Sequence, residues 1–183
     1  MPYFDSHRFG VSTNLLDNPG DVVATIDRLS ARFPIVELEL EDAARSVLRE
    51  EPPARDAIVE QLVTLRRERD FVLSVHAPYL GPACDLASED PAVGRASAQL
   101  LTRAIRFAAD VGATRLTYHP GYLARQPVRR LLENLMRSLD ELVPTAHAAG
   151  VTLCLENMGA DGQSISFFLQ PTTWNCAGRP ARG

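Results

Sequence analysis

Phe71-Val-Leu-Ser-Val-His76, a helix-spaced stretch opened by Asp90-Pro91 and closed by Gly112, and Thr114-Arg-Leu-Thr-Tyr-His119 together read as strand, helix, strand. Two short apolar runs flanking a long amphipathic segment form a βαβ unit, whose strands lie parallel. Asp90 followed by Pro91 predicts an N-cap with proline at the first helical position, and Gly112 predicts the helix end.

The same alternation extends in both directions. Upstream, Phe9–Asn14 reads as a first strand, and Asp21 caps a helix marked by Val22, Ile26 and Leu29. Ile35-Val-Glu-Leu-Glu39 is a second strand, and Ile58, Leu62 and Leu65 mark a helix beyond Pro52-Pro53. Downstream, Val128, Leu131, Leu132, Leu135, Leu139 and Leu142 line a helix that Gly150 closes, and Val151-Thr-Leu-Cys-Leu-Glu156 is a fifth strand. Five strands and four helices thus fit within residues 8–157, which predicts an α/β fold with a parallel sheet. An open doubly wound sheet would carry a Gly-rich phosphate loop after its first strand. Asn14-Leu-Leu-Asp-Asn18 stands there instead, which argues against dinucleotide binding.

Composition narrows the chemistry. The chain has 183 residues, 45% apolar and 23% charged, with net charge −4. All 19 basic residues are arginine, so Schiff-base catalysis on lysine and a P-loop lysine are both excluded. No window is strongly basic, so bulk charge gives no support to nucleic acid as the main partner. The first eight residues lack a signal-peptide pattern and no apolar run approaches 18 residues, so neither a leader nor a membrane span is expected. Cys84, Cys154 and Cys176 are far apart and odd in number, the pattern of a reduced cytoplasmic protein.

Strands three, four and five each finish on a metal-competent side chain: His76, His119 and Glu156. Parallel strands present their C-terminal ends on one face, so these residues converge although about 40 positions separate each from the next. Two neutral imidazoles and a carboxylate suit a divalent metal with a position left open for water or substrate. One histidine at a strand end is more often a hydrogen-bonded structural residue; three such residues in register carry more weight.

The surrounding residues supply a resemblance. His76-Ala-Pro-Tyr79-Leu80 with Asp85-Leu-Ala-Ser88, then Tyr118-His119-Pro120-Gly121, then Leu155-Glu156-Asn157-Met158-Gly159 resemble the third-, fourth- and fifth-strand motifs of the xylose-isomerase-like barrel superfamily. That superfamily holds sugar phosphate isomerases and epimerases and the endonuclease IV group of apurinic DNA repair enzymes. The resemblance implies a TIM-type (β/α) barrel, with His76, His119 and Glu156 as ligands of a divalent metal, zinc, manganese or cobalt. It also implies Glu156 as the base that moves a proton next to a carbonyl of a sugar or sugar phosphate. Asn157 would orient that carboxylate or meet a substrate oxygen, or is simply a turn residue. Tyr79 would pack over substrate, or is structural. Glu37 and Glu39 share a strand face; Glu39 could point into the barrel mouth, with a solvated or salt-bridged acid the plainer reading. His147 reads as a favourable charge at a helix C-terminus, His7 has no such context, and Cys154 reads as a small core residue.

Complete barrels run to about 250 residues, so the chain is expected to hold about five of eight βα units. Residues 1–165 form the partial barrel domain, and 166–183 an irregular tail that starts near Phe167-Phe-Leu-Gln-Pro171 and suggests a truncation or frameshift. Such a piece would leave sheet edges for the tail or a second copy of the chain to cover. Three functions follow: a metal-dependent sugar isomerase or epimerase, an apurinic-site endonuclease, or a non-catalytic metal-binding remnant. Absence of lysine, the acidic balance and Tyr122 after His-Pro-Gly favour the first over the second.

Overall fold

A computed structural model describes residues 9–15, 21–48, 52–122 and 127–156. Among them strands and α-helices alternate: β1 (Val11–Ser12), α1 (Val22–Ser30), β2 (Ile35–Glu39), α2 (Pro52–Glu68), β3 (Val72–His76), α3 (Pro91–Asp110), β4 (Arg115–Tyr118), α4 (Val128–Ala148) and β5 (Thr152–Leu155), with short 3-10 turns after β1, β2 and β3. The strands form one sheet in the order β1-β2-β3-β4-β5, and every pair is parallel. The expected α/β class is therefore present.

The predicted caps are present as hydrogen bonds. Asp21 Oδ1 accepts from the Ala24 N–H at 3.0 Å, and Asp90 Oδ1 from the Ala92 N–H at 2.8 Å. Gly112 and Gly150, just past α3 and α4, have φ of +71° and +69°, the left-handed conformation that ends a helix. Arg66 Nη1 donates to the Val111 carbonyl at 2.7 Å, setting a positive charge against the C-terminus of α3.

The two faces of the sheet differ in chemistry. Val36, Leu38, Leu73, Val75, Leu116 and Tyr118 are buried and join Ile105, Phe107, Leu131 and Leu142 of the helices in one core. With a side-chain period of two, the alternate residues Glu37, Glu39, Ser74, His76, Thr117 and Cys154 occupy the other face. That face is curled inward. Strands two apart in a flat sheet lie nearly 10 Å from each other, yet Thr117 Oγ1 of β4 donates to Glu37 Oε2 of β2 at 3.1 Å. Polar side chains from non-adjacent strands therefore meet over the strand between them, as inside a barrel wall.

Three sequence expectations change. The first strand shrinks from Phe9–Asn14 to two residues, because the Thr13 hydroxyl, rather than its backbone, accepts the Glu39 N–H at 3.0 Å. Glu39 is half-buried rather than solvated, and it accepts from Ser12 Oγ at 2.7 Å. Cys154 is only partly buried and lies on the inward face of β5, the outer strand of the described sheet, rather than in the core. His147 sits in the last turn of α4, as expected. His7, Cys176, Asn157 and the tail over 166–183 lie outside the described residues.

Candidate metal centre

The parallel sheet places three side chains at one end. His76 is the last residue of β3, and His119 and Glu156 each follow the last residue of their strands by one position. Their potential ligand atoms all lie within 4.8 Å of one another. Glu156 Oε2 is 2.8 Å from His76 Nε2 and 3.1 Å from His119 Nε2, so one carboxylate oxygen faces both rings. The Glu156 N–H donates to the Tyr118 carbonyl at 2.9 Å, which fixes where its side chain leaves the backbone.

The tautomer of His76 follows from its other nitrogen. Nδ1 stands 2.8 Å from the Ala77 carbonyl oxygen, which can only accept, so Nδ1 carries the proton. Nε2 is then the ring atom that faces the carboxylate oxygen. A ring nitrogen and a carboxylate oxygen this close need a cation between them, a proton or a metal ion, and two imidazoles with a carboxylate are a donor set that fits a divalent metal. An imidazole anchored by a carbonyl at its far nitrogen is also the usual arrangement of a metal ligand.

The surroundings of His119 and Glu156 set their charges. Burial and the neighbouring His76 hold the His119 imidazole below its usual pKa, despite opposition from Glu156. For Glu156, burial alone would raise the carboxyl, but hydrogen bonds and charge from His76 and His119 outweigh it and hold the group below the usual range. A neutral imidazole and an ionised carboxylate are the forms that bind metal.

Tyr79 completes the cluster. Its ring centroid lies 4.6 Å from that of His119 and 5.3 Å from that of His76, and the two imidazoles are 5.0 Å apart. Its peptide is held by residues that the motifs did not single out for this purpose. Glu41 accepts the Tyr79 and Leu80 N–H groups, and the Tyr122 hydroxyl donates to the Tyr79 carbonyl. A signal for Glu41 was present in the sequence: the alternation Glu37, Glu39 continues to residue 41, past the end of β2.

The loop after β4 is set by Gly121. Its φ is +132°, and a Cβ there would collide with Asp85 Oδ1, so only glycine lets His119-Pro120-Gly121 pass the loop after β3. The same Asp85 oxygen accepts from the Ala87 N–H at 3.2 Å.

The xylose isomerase-like TIM barrel family matches residues 29–174, which include all three strand-end residues. The chain belongs to that family. Similar proteins include the probable endonuclease 4 of Mycoplasma pneumoniae, 33% identical over 91 residues, covering 50% of this chain and 30% of that protein. The probable endonuclease 4 of Mycoplasma genitalium is 32% identical over 93 residues, covering 51% of this chain and again 30% of that protein. Among solved structures, a D-tagatose 3-epimerase-like protein superposes with a TM-score of 0.71 at 23% identity, over 87% of this chain and 56% of that one. An L-ribulose 3-epimerase superposes with a TM-score of 0.70 at 18% identity, over 92% and 55%. A protein of Thermus thermophilus, from crystals soaked with ZnCl2, superposes with a TM-score of 0.54 at 25% identity, over 80% and 54%. The matches thus span about a third of the curated relatives and just over half of the solved structures. The epimerase likenesses establish the barrel fold, and no helix among the described residues is long and apolar enough to cross a membrane.

Proposed function

We propose that His76, His119 and Glu156 hold one divalent metal ion, and that the chain is part of a metal-dependent sugar isomerase or epimerase. The observation that carries this reading is the single oxygen, Glu156 Oε2, facing two imidazole Nε2 atoms, one of whose rings is anchored at its far nitrogen, Nδ1, on the Ala77 carbonyl.

A divalent ion at this position supplies electrophilic polarisation of a substrate carbonyl and hydroxyl, which makes the proton between them more acidic. The chain's own groups do the rest. His76 and His119, turned inward, fix the centre. The Glu156 side chain is 43% exposed, its described contacts use one oxygen, and it is ionised near neutral pH. It can accept a proton from carbon and return it. Tyr79 closes one side with an aromatic surface beside the imidazoles, on which a sugar ring can pack. Asn157, next in sequence, is proposed to orient the carboxylate or meet a substrate oxygen.

A second reading has an observation of its own. The relatives above 30% identity are named endonuclease 4, and a His-His-Glu centre can equally activate water for phosphodiester hydrolysis. In that reading Tyr79 would lie near the abasic gap. Ketose epimerisation and nicking of abasic DNA, assayed side by side on the chain loaded with Zn²⁺, Mn²⁺ or Co²⁺, separate the two. Epimerisation that His119→Ala abolishes supports the first reading. Nicking without epimerisation replaces it with the second, and metal binding without turnover leaves a metal-binding protein.

A further inference from the structure

Just beyond β2, outside the proposed ligand set, lies a buried carboxylate with every oxygen engaged. The Glu41 side chain is 10% exposed. Its Oε1 accepts the N–H groups of Tyr79 and Leu80, the latter at 2.7 Å, and its Oε2 pairs with Arg45 Nη1 at 3.3 Å. Arg45 Nη1 also donates to the Leu80 carbonyl at 2.9 Å. Burying a carboxylate is costly unless it is paired and hydrogen-bonded. This one satisfies the condition by gripping two consecutive peptides of the loop after β3.

The grip has a directional consequence. Two successive N–H groups bound to one oxygen fix the peptide planes on either side of Tyr79 Cα and hence the direction of its Cα–Cβ bond. From the opposite side, Tyr122 Oη donates to the Tyr79 carbonyl and accepts from the Gly81 N–H at 3.2 Å. The tyrosine ring so placed lies tilted by 32° over His119 and edge-on, at 76°, to His76. Rings in those arrangements attract weakly and restrict each other's rotation. His76 has its own carbonyl anchor, whereas the described hydrogen bond of the His119 ring is the one to Glu156. The ring that gains most from a packed neighbour is therefore His119.

We propose that Glu41 is a positioning residue. Through the Tyr79 and Leu80 peptides it sets the Tyr79 ring against both imidazoles, and so presets the rotation of His119 for cation binding. The inference rests on the metal-binding reading of the site. Glu41 touches neither the metal position nor substrate; it acts through the loop.

Histidine ring NMR spectra of the full chain without metal, followed by Co²⁺ titration, test the proposal. The stacked Tyr79 ring shifts the ring protons of His119, and Tyr79→Leu defines the shift that is lost without it. Glu41→Ala is expected to lose most of that shift and to weaken Co²⁺ binding by about 10- to 100-fold, with the stoichiometry unchanged. Glu41→Gln, which keeps an acceptor oxygen for the two N–H groups, is expected to retain most of both. A wild-type His119 shift in folded Glu41→Ala, when Tyr79→Leu changes it, would overturn the proposal. If Glu41→Ala fails to fold, Arg45→Met frees Oε2 and is expected to give an intermediate shift; an unchanged shift there also overturns it. Lack of Co²⁺ binding by the wild type would instead overturn the metal reading, while the ring shifts still decide the role of Glu41.

Discussion

His76 Nδ1–H donates a hydrogen bond to the carbonyl oxygen of Ala77, its neighbour in sequence, across 2.8 Å. That bond makes the rest of the centre interpretable. It anchors Nδ1 of a side chain that is 5% exposed, and it turns Nε2 toward Glu156. Substituting the carbonyl is impractical, but the carboxylate that the anchored ring faces can be replaced. Glu156→Gln should keep the fold while replacing an anionic ligand by a weak neutral one. Co²⁺ affinity, followed by the visible spectrum, is expected to fall by well over about tenfold, with the far-ultraviolet circular dichroism unchanged.

Acid should destabilise the metal-free chain through the same groups. The folded pKa of His119 is depressed below the ordinary 6.5, and that of Glu156 below the ordinary 4.5. For each, the unfolded chain binds the proton more readily. The stabilisation is complete above those ordinary values and is lost as pH falls toward the folded ones. Urea midpoints between pH 7 and pH 4 are expected to decline steadily, the His119 part first. A midpoint that rises on acidification would contradict the assigned charge states.

Gly121 should tolerate no side chain. Alanine there meets the Asp85 carboxylate and a φ of +132°. Such a backbone conformation costs about 1–3 kcal/mol for a non-glycine residue. Thermal denaturation of Gly121→Ala is expected to show a lowered midpoint, and Co²⁺ titration a weakened site, because His119 precedes the glycine by two residues.

Phe107 is fully buried in α3, within the core shared with β3 and β4. Phe107→Ala is expected to cost about 3–5 kcal/mol, the range for emptying an aromatic site in a core. Denaturant unfolding at pH 7 measures it directly. A loss below about 1 kcal/mol would mean that α3 does not pack on the sheet as described.

Cys84 should be slow to react. Burial pushes its thiol up to about 11, with Arg45 only partly offsetting this. Little thiolate is then present at pH 8, and thiolate is the reactive form. Peptide mapping after brief iodoacetamide treatment is expected to find Cys154, on the open inward face, modified well before Cys84. Prompt alkylation of Cys84 would show that the loop after β3 opens readily.

Much of this architecture was legible in the sequence because the signals are local. Val22, Ile26 and Leu29 in one helix, Leu62 and Leu65 in the next, and Leu131, Leu135 and Leu142 in the last recur at helical spacing and are buried; Asp21 and Asp90 cap as their positions predict. Convergence of His76, His119 and Glu156 was legible for a different reason: parallel strands align their ends, so position along each strand substitutes for distance. Glu41 and the hydroxyl of Tyr122 act through loop peptides, whose contacts depend on how two loops cross rather than on any periodicity. Cys154 misled because a small apolar residue beside Leu155 reads as core, whereas the period of two sets it on the opposite, polar face of β5.

The central claim is that His76, His119 and Glu156 together hold a divalent ion, and metal analysis tests it most directly. The full chain and its His76→Ala, His119→Ala and Glu156→Gln variants would be incubated with Zn²⁺, Mn²⁺ or Co²⁺, desalted, and assayed for metal per chain. About one ion per wild-type chain is expected for at least one of these metals, with little retained by the variants. Equal metal content in wild type and His119→Ala would contradict the site.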